Sequence, residues 1–440
     1  MLYIPNIGKP VIFMDPNVKK IEMCRVCSNK HILPILSLGE QFFTDFITDK
    51  EKQGIRAPLE LVLCDQSKGG CGLLQLKHTI TANAMYRQYW YQSGINKSMQ
   101  DALADISKKA QSFVKLKEND IVLDIGCNDG TLLRSYGKKN LRSVGFDPAV
   151  NLIPLASKGT TKIINDFFNA ESFQKEFGST PAKIITSIAM FYDLDNPNIF
   201  VADIAKILDK NGVWIIQMSY LPSMINKNAF DNICHEHLEY YSLSSLENLL
   251  SRHKLVVIDV ETNDVNGGSF RVYIAHEKSA AKFTKGNSEK NVSAMRKNEK
   301  KIGLEKREVY NSFANRIRHL KTKTVAFIKK EVKNKKKVFV YGASTKGNVL
   351  LQYYGLDSTL IARAAERNQS KWGKMTVGTL IPIVSEEEAR KQKPDYFLVL
   401  PWHFLNEFLQ RERAFLKSGG KFIVPLPEVK VIDSKKETFI

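Results

Sequence analysis

Residues 119–148, NDIVLDIGCNDGTLLRSYGKKNLRSVGFDP, constrain the fold more than any other stretch of the chain. The largely apolar run Ile121–Ile125 reads as a buried parallel strand. It enters a glycine turn, Gly126-Cys-Asn-Asp-Gly130. A helical stretch over 131–136 and a second strand over 143–146 follow, and the second strand ends on Asp147. This pattern predicts an open, doubly wound α/β sheet with a ligand at the carboxyl ends of its strands. Glycine lets backbone approach that ligand, and the acid after the second strand accepts hydrogen bonds from ribose hydroxyls. Cys127, inside the turn, reads as a small buried filler rather than a nucleophile.

The turn lacks the G-x-G-x-x-G order of a dinucleotide site. Its order, Asp124-Ile-Gly126-Cys-Asn128-Asp129-Gly130, resembles motif I of class I S-adenosylmethionine-dependent methyltransferases. The resemblance implies that Asp124, Gly126, Asn128, Asp129 and Asp147 surround the cofactor. Past a third strand, Lys162–Ile164, Asp166 and Phe167 are placed to touch the adenine. Past a fourth, 183–189, Met190-Phe-Tyr192 lies over the reacting methyl, and a fifth strand, 212–218, follows a helix. The competing reading is a Rossmann-like turn that holds no cofactor.

Four of the six cysteines lie within the first 71 residues, as Cys24-x2-Cys27 and Cys64-x6-Cys71. Two tight pairs suit one tetrahedral zinc with four thiolate ligands. Four thiolates leave no coordination position open, so such a metal is structural, and it stabilises a segment too small for a core of its own. The alternative is four unrelated free thiols.

At 440 residues the chain exceeds one ordinary core, and two or three domains are expected. No apolar run is long enough to span a bilayer, and the first residues do not read as a secretory leader. A cytoplasmic protein with no membrane partner is the expectation. The formal charge of +19 is concentrated: residues 278–337 hold 20 Lys or Arg against 5 Glu, a net +15. Met295, Ile302, Leu304, Val309, Phe313, Ile317, Leu320, Val325 and Ile328 recur there mostly at three-to-four spacing. That pattern gives long amphipathic helices with a solvated basic face, which either join two domains or serve an interface; a monomer or homodimer is expected. No nucleic-acid signature accompanies the charge, so no nucleic-acid partner is expected. A zinc-containing RNA-binding or RNA-modifying protein stays as an alternative.

Two further stretches carry chemistry. DNICHEHLEYYS, residues 231–242, sets Glu236 between His235 and His237. Histidine titrates near neutral pH and can take a proton, while a neighbouring glutamate orients it or binds a hydroxyl. A metal site and a polar loop compete with this reading. The two histidines share a face only in an extended chain, and no other histidine lies nearby in sequence. The second stretch is a strand over 337–340 followed by Tyr341-Gly-Ala-Ser-Thr-Lys-Gly347 and a helix. Its amides and helix N-terminus suit an anion, with Ser344 and Lys346 at a diphosphate, unless the turn only packs.

These marks, with Tyr91-Gln-Ser-Gly94, Gly267-Gly-Ser-Phe-Arg271 and Lys421-Phe-Ile-Val-Pro-Leu-Pro-Glu428, occur in one order. From about residue 20 to residue 433 the chain resembles the nucleotide-sugar C-methyltransferases. The resemblance implies an α/β protein with a zinc-binding domain (18–85), a central class I methyltransferase domain (86–276), connecting amphipathic helices (277–335) and a C-terminal Rossmann-like nucleotide-sugar-binding domain (336–433). It implies S-adenosylmethionine and structural zinc. Its substrate would be a nucleotide-linked 4-keto-deoxysugar, methylated on carbon, C3 foremost. His237 would be the base and Glu236 its support, with His235 more structural than catalytic. Cys234 stands where the family commonly has a tyrosine beside the ketone. Tyr91 is the candidate for that role, and Tyr89 the reserve. Arg271, Ser344, Lys346 and Asn348 would meet the substrate. Gln369 replaces the proline of the family's Asp-Arg-Asn-Pro, here Glu366-Arg-Asn-Gln. O- or N-methylation of a sugar is the second enzymatic reading.

Overall fold

In the computed structural model, which describes residues 17–137, 140–283 and 286–440, the run Ile121–Ile125 is an interior strand of a seven-stranded sheet. We number its strands β1 (Ile121–Ile125), β2 (Arg142–Phe146), β3 (Lys162–Ile164), β4 (Ala182–Ile188), β5 (Leu208–Ser219), β6 (Leu255–Asn263) and β7 (Ser269–His276). The order across the sheet is β6-β7-β5-β4-β1-β2-β3. Strands β3 to β5 run parallel through β1 and β2, and β7 lies antiparallel between β5 and β6. β1 is apolar throughout, apart from Asp124, because both faces are covered. Val122 packs with helix Lys97–Phe113 through Leu103, Ile106 and Ala110. Leu123 packs with helix Pro197–Ile207 through Phe200, Val201 and Ile204.

A second seven-stranded sheet closes the chain. Its strands are β8 (Val338–Tyr341), β9 (Ala364–Glu366), β10 (Ile383–Ser385), β11 (Tyr396–Val399), β12 (Lys421–Val424), β13 (Lys430–Ile432) and β14 (Glu437–Phe439), in the order β10-β9-β8-β11-β12-β13-β14. The first five are parallel and the last two form an antiparallel edge. The basic segment forms two helices, Ser288–Ile302 and Arg307–Lys333. The second buries Tyr310, Phe313, Ile317, Leu320 and Ile328 in the core of the C-terminal sheet, and most of its lysines and arginines stay outside. The first buries Glu299, whose carboxylate accepts from the backbone N–H groups of Leu243 (2.5 Å) and Ser244 (3.0 Å) and from the Tyr220 hydroxyl (2.9 Å). An anion there answers the free amides at the start of helix Leu243–Ser251.

At the other end of the chain, strands Ile32–Phe42, Arg56–Cys64 and Leu74–Leu76 form an antiparallel sheet. Its fourth strand, Glu239–Tyr240, is supplied from far along the sequence. This sheet also meets the C-terminal domain. Phe46–Ile47 pairs with Met375–Thr376, and the Gln352 amide bonds both backbone groups of Phe42. Among the described residues no helix is long and apolar enough to cross a membrane.

Arg271 corrects an expectation. It lies on β7, 3% exposed and away from any cavity wall. It donates to Asp105 (2.8 Å), Glu261 (3.0 Å) and Gln217 (2.8 Å), tying helix Lys97–Phe113 to three strands of the central sheet. A guanidinium on a strand beside two carboxylates is satisfied inside the protein and has no need of a substrate. We predict that Arg271→Met costs about 2 kcal/mol in chemical denaturation, because Asp105 and Gln217 lose a charged donor while Glu261 keeps Lys109, and that ligand binding to the folded protein is unchanged.

Candidate active site

The carboxyl ends of both parallel sheets face one cavity of about 560 Å³, partly covered by residues 82–96. Its first half is built on β1. Gly126 has φ +72°, and a Cβ there would meet Cγ of Met190 at 3.0 Å, so a side chain would crowd the space the turn leaves. Beneath the turn Asp124 is buried. Its Oδ1 accepts from the Thr186 hydroxyl (2.6 Å), and burial pushes its pKa up to about 7. Asp147, at the end of β2, accepts from the N–H groups of Asn128 (2.7 Å) and Ala149 (2.9 Å) and lines the cavity. Each carboxylate oxygen keeps a second lone pair for a ligand hydroxyl. Asp166, Phe167 and Met190 also line this half, and the Arg87 guanidinium lies 5.2 Å over the Phe167 ring.

Asn128 lines the cavity and Asp129 does not, and the side chains of both hold a neighbouring segment. The Asn128 amide accepts from Ser93 N (2.9 Å) and donates to Tyr91 O (3.0 Å). Asp129 accepts from Gly94 N (2.7 Å) and is not part of the cavity wall. Both side chains clamp the Tyr91-Gln-Ser-Gly94 strap across the first half of the cavity. A Cβ on Gly94 would stand 2.9 Å from the Asp129 carboxylate, which accounts for the glycine. Tyr91 itself sits at the rim, 42% exposed. Tyr89 is half-buried and also lines the cavity. Burial raises its pKa well above the ordinary phenol range, with the acids Asp193 and Glu236 adding to the effect.

His237 stands in the middle. Its Nδ1 is 2.9 Å from the Asn232 carbonyl, which can only accept, so Nδ1 carries the proton and Nε2 is left with a free lone pair. The ring packs on Tyr192 with centroids 4.2 Å apart. Burial, and then the Lys346 charge, lower its pKa to about 3, which keeps it neutral. The loop carrying it is held from all sides. His235 bonds the Ala57 carbonyl through Nε2 (3.0 Å), Leu76 N donates to Leu238 O (2.8 Å), Lys346 Nζ donates to Asn232 Oδ1 (2.5 Å) and Trp402 Nε1 donates to Asp231 Oδ2 (3.1 Å). His235 therefore anchors the loop and does not line the cavity. Cys234 is buried in an apolar cluster, and Glu236 is buried behind the wall, where desolvation raises its pKa. The Tyr86 hydroxyl donates to the Glu236 carbonyl (3.0 Å).

The second half repeats the device of the first. Ser344 caps helix Thr345–Tyr354 by accepting from Gly347 N (3.0 Å). Glu366, at the end of β9, accepts from Ala343 N (2.8 Å) much as Asp147 serves Asn128. Ser344, Lys346, Lys371, Arg367 and Arg411 line this half. Where a proline was expected, Gln369 starts a short turn, Gln369–Lys371, that directs the Lys371 ammonium to the Ala343 carbonyl (2.8 Å). Asn348 lies on the far side of its helix, 1% exposed, with neither amide atom bonded, and does not reach the cavity. Gly267 serves contact between domains, since a Cβ there would press on the Trp402 ring at 3.2 Å. Sequence reasoning missed Tyr86, Asp193, Lys371 and Arg411. Only Asp193, one residue beyond the Met190-Phe-Tyr192 stretch, carried a signal.

The four cysteines converge as their spacing required. All four sulfurs lie within 4.8 Å of one another, with Cys24–Cys71 at 3.5 Å and Cys27–Cys64 at 3.4 Å. Sulfurs bound about 2.3 Å from one zinc lie about 3.8 Å apart, so the cluster fits the ion. Gly70 is required beside it, because a Cβ there would stand 2.6 Å from the Cys64 sulfur.

Three family models match consecutive parts of the chain: a zinc binding domain over residues 24–86, a methyltransferase domain over 91–260 and a C-methyltransferase C-terminal domain over 264–427. The C-methyltransferase NovU of Streptomyces niveus is 31% identical over 432 residues, spanning 96% of this chain and 99% of that protein. The chain belongs to this C-methyltransferase family. Solved structures resemble it less. The plantazolicin methyltransferase BpumL with SAH is 15% identical, covers 40% of this chain and 82% of its own, and has a TM-score of 0.32. Magnesium protoporphyrin IX methyltransferase from Synechocystis PCC 6803 is 10% identical, covers 40% and 79%, and has a TM-score of 0.31. Neither bears on the chemistry. The C-methyltransferase is an S-adenosylmethionine-dependent enzyme with a four-cysteine zinc-binding domain. Its first glycine turn suits the methyl donor. Gly126, Asp147, Asp166 and Phe167 all line this half of the cavity, and the Asp147 carboxylate could accept from ribose hydroxyls. Bound there, the donor supplies a methyl group on a sulfonium.

Two outcomes are expected. Asp147→Ala weakens S-adenosylmethionine binding by calorimetry at least about tenfold, the loss of one charged hydrogen-bond acceptor. Chelation of the metal lowers the melting temperature by more than about 5 °C, because a structural zinc contributes folding free energy directly.

Proposed function

We propose that the enzyme methylates a carbon atom next to the ketone of a nucleotide-linked 4-keto-deoxysugar, with C3 as the acceptor carbon. The observation that supports this reading is the position of His237. Its free Nε2 faces a cavity that has a methyl-donor cradle on one side and a cation-lined glycine turn on the other. A carbon acceptor needs a base, because a C–H bond becomes nucleophilic only when its proton is removed alpha to a carbonyl. His237 takes that proton on Nε2 while Nδ1–H stays fixed on the Asn232 carbonyl. Ser344, Lys346 and Lys371 hold the diphosphate at the start of helix Thr345–Tyr354. Once the diphosphate offsets the Lys346 charge, the imidazole becomes more basic, so substrate binding itself prepares the base. Tyr89 lies near the position that Cys234 leaves without a phenol, and Tyr91 orders the strap. The cavity walls exclude water and hold the two reacting carbons in one geometry.

The reading predicts that the enzyme, without S-adenosylmethionine, exchanges one sugar proton for deuterium in heavy water. Mass spectrometry follows the exchange, and His237→Ala abolishes it. Methyl gain without exchange would replace this reading with O- or N-transfer. Since His237 is neutral above about pH 4, it imposes no acid limb on the exchange rate of the free enzyme between pH 5 and 8. Lys346→Met raises KM for the nucleotide sugar by about 10-fold or more through loss of a charge-assisted phosphate contact, and leaves S-adenosylmethionine affinity in place.

A further inference from the structure

One carboxyl group in the cavity wall has been given no task. Asp193 ends the turn Phe191–Asp193 at the carboxyl end of β4, next to Tyr192, whose ring packs on His237. Its Oδ1 is enclosed and, among the described residues, has no hydrogen-bond partner. The charged and titratable groups facing it are Cys234, Glu236, Glu239 and Tyr240 from the catalytic loop, the adjoining Tyr192, Tyr89 and the hydrogen-bonding Tyr86 from the covering segment, and Lys346 from the C-terminal domain. A carboxylate in that place would be desolvated, short of partners and close to two further acids, each of which disfavours the charge. A protonated carboxyl suits it, and unlike a carboxylate it donates a hydrogen bond. The loop position from which the resemblance would bring a phenol to the ketone holds Cys234, packed in an apolar cluster with Leu221, Phe230 and Leu238.

We propose that Asp193, as a neutral carboxylic acid, donates the hydrogen bond that stabilises the enolate oxygen. The proposal rests on the keto-sugar reading above. In the step, His237 Nε2 takes the proton from the carbon alpha to the ketone. The C–H electron pair becomes the C=C bond, the carbonyl π pair moves onto oxygen, and the Asp193 O–H hydrogen-bonds that oxygen. When the enolate carbon is alkylated, the carbonyl re-forms and the proton stays with Asp193. Burial and the neighbouring acids hold the Asp193 pKa well above the carboxylate range. The enolate charge would hold it higher still while it exists.

Deuterium exchange into a nucleotide-linked 4-keto-6-deoxyglucose, without S-adenosylmethionine, tests this between pH 6 and 10. Substrate affinity of every variant is measured by calorimetry to separate folding and binding from chemistry. Asp193→Ala is slower by about 100-fold or more, the scale of one lost oxyanion donor. Asp193→Asn, a neutral donor, recovers a substantial part of the rate. Undiminished exchange in Asp193→Ala overturns the proposal. So does an Asn variant that binds substrate normally yet exchanges no faster than the Ala variant. Failure of the unmodified enzyme to exchange overturns the keto-sugar reading, and this proposal with it, so the two failures are distinguishable.

Discussion

The rest of the site depends on the pairing of Glu239–Tyr240 with Leu74–Gln75. By that short strand the loop bearing His237 becomes part of the N-terminal sheet, and the same loop is hydrogen-bonded to the C-terminal domain through Asn232–Lys346 and Asp231–Trp402. A loop fixed at several points by different domains has few other conformations, so the imidazole is positioned before any ligand arrives. The zinc cluster therefore does more than stabilise a small segment. Cys64 ends the strand whose Ala57 carbonyl receives His235, and Cys71 lies just before the strand that receives Glu239–Tyr240.

The electrostatics follow from the same enclosure. Around His237 the acids Asp193, Glu236 and Glu239 are all pushed toward their neutral forms, and the histidines 235, 237 and 403 are pushed toward theirs. Desolvation is the first cause in each case. The region is thus poor in formal charge near the reacting centre, with lysines and arginines set farther into the C-terminal half. Such an arrangement favours chemistry in which charge appears only transiently and is met by preset dipoles.

Much of the architecture was legible in the sequence. Near-continuous apolar runs bounded by glycine turns identified β1 and β8 as parallel strands, since both faces of such strands must be covered. The three-to-four spacing over 288–333 gave helices whose apolar stripe is the buried one. Asp147 and the four cysteines were legible because their roles depend on local geometry, a strand end or a tight turn. Less could be read for residues whose partners are distant. Arg271 resembled a ligand contact until Asp105, well over a hundred residues away, was seen beside it. Asn128 and Asp129 were read by their place in a motif, which placed Asn128 on the cavity wall but did not show that both side chains bond the strap at 91–94. Tyr86 carried no mark, for nothing in residues 82–86 reveals that a loop 150 positions later will cross it.

By itself the sequence determined the kinds of element, their order, the metal ligands and the family. Each of these follows from spacing along the chain, where the periods of strands, helices and knuckles are built into backbone geometry. Tertiary structure decided which nitrogen of His237 is free, which acids are pushed toward their neutral forms and that both glycine turns open on one cavity. These are matters of burial and of hydrogen-bond partners from distant segments. The proton on His237 Nδ1 is settled by the neighbouring Asn232 carbonyl, and the upward push on the Asp193 pKa comes from water excluded when three domains close over it, which no local spacing records.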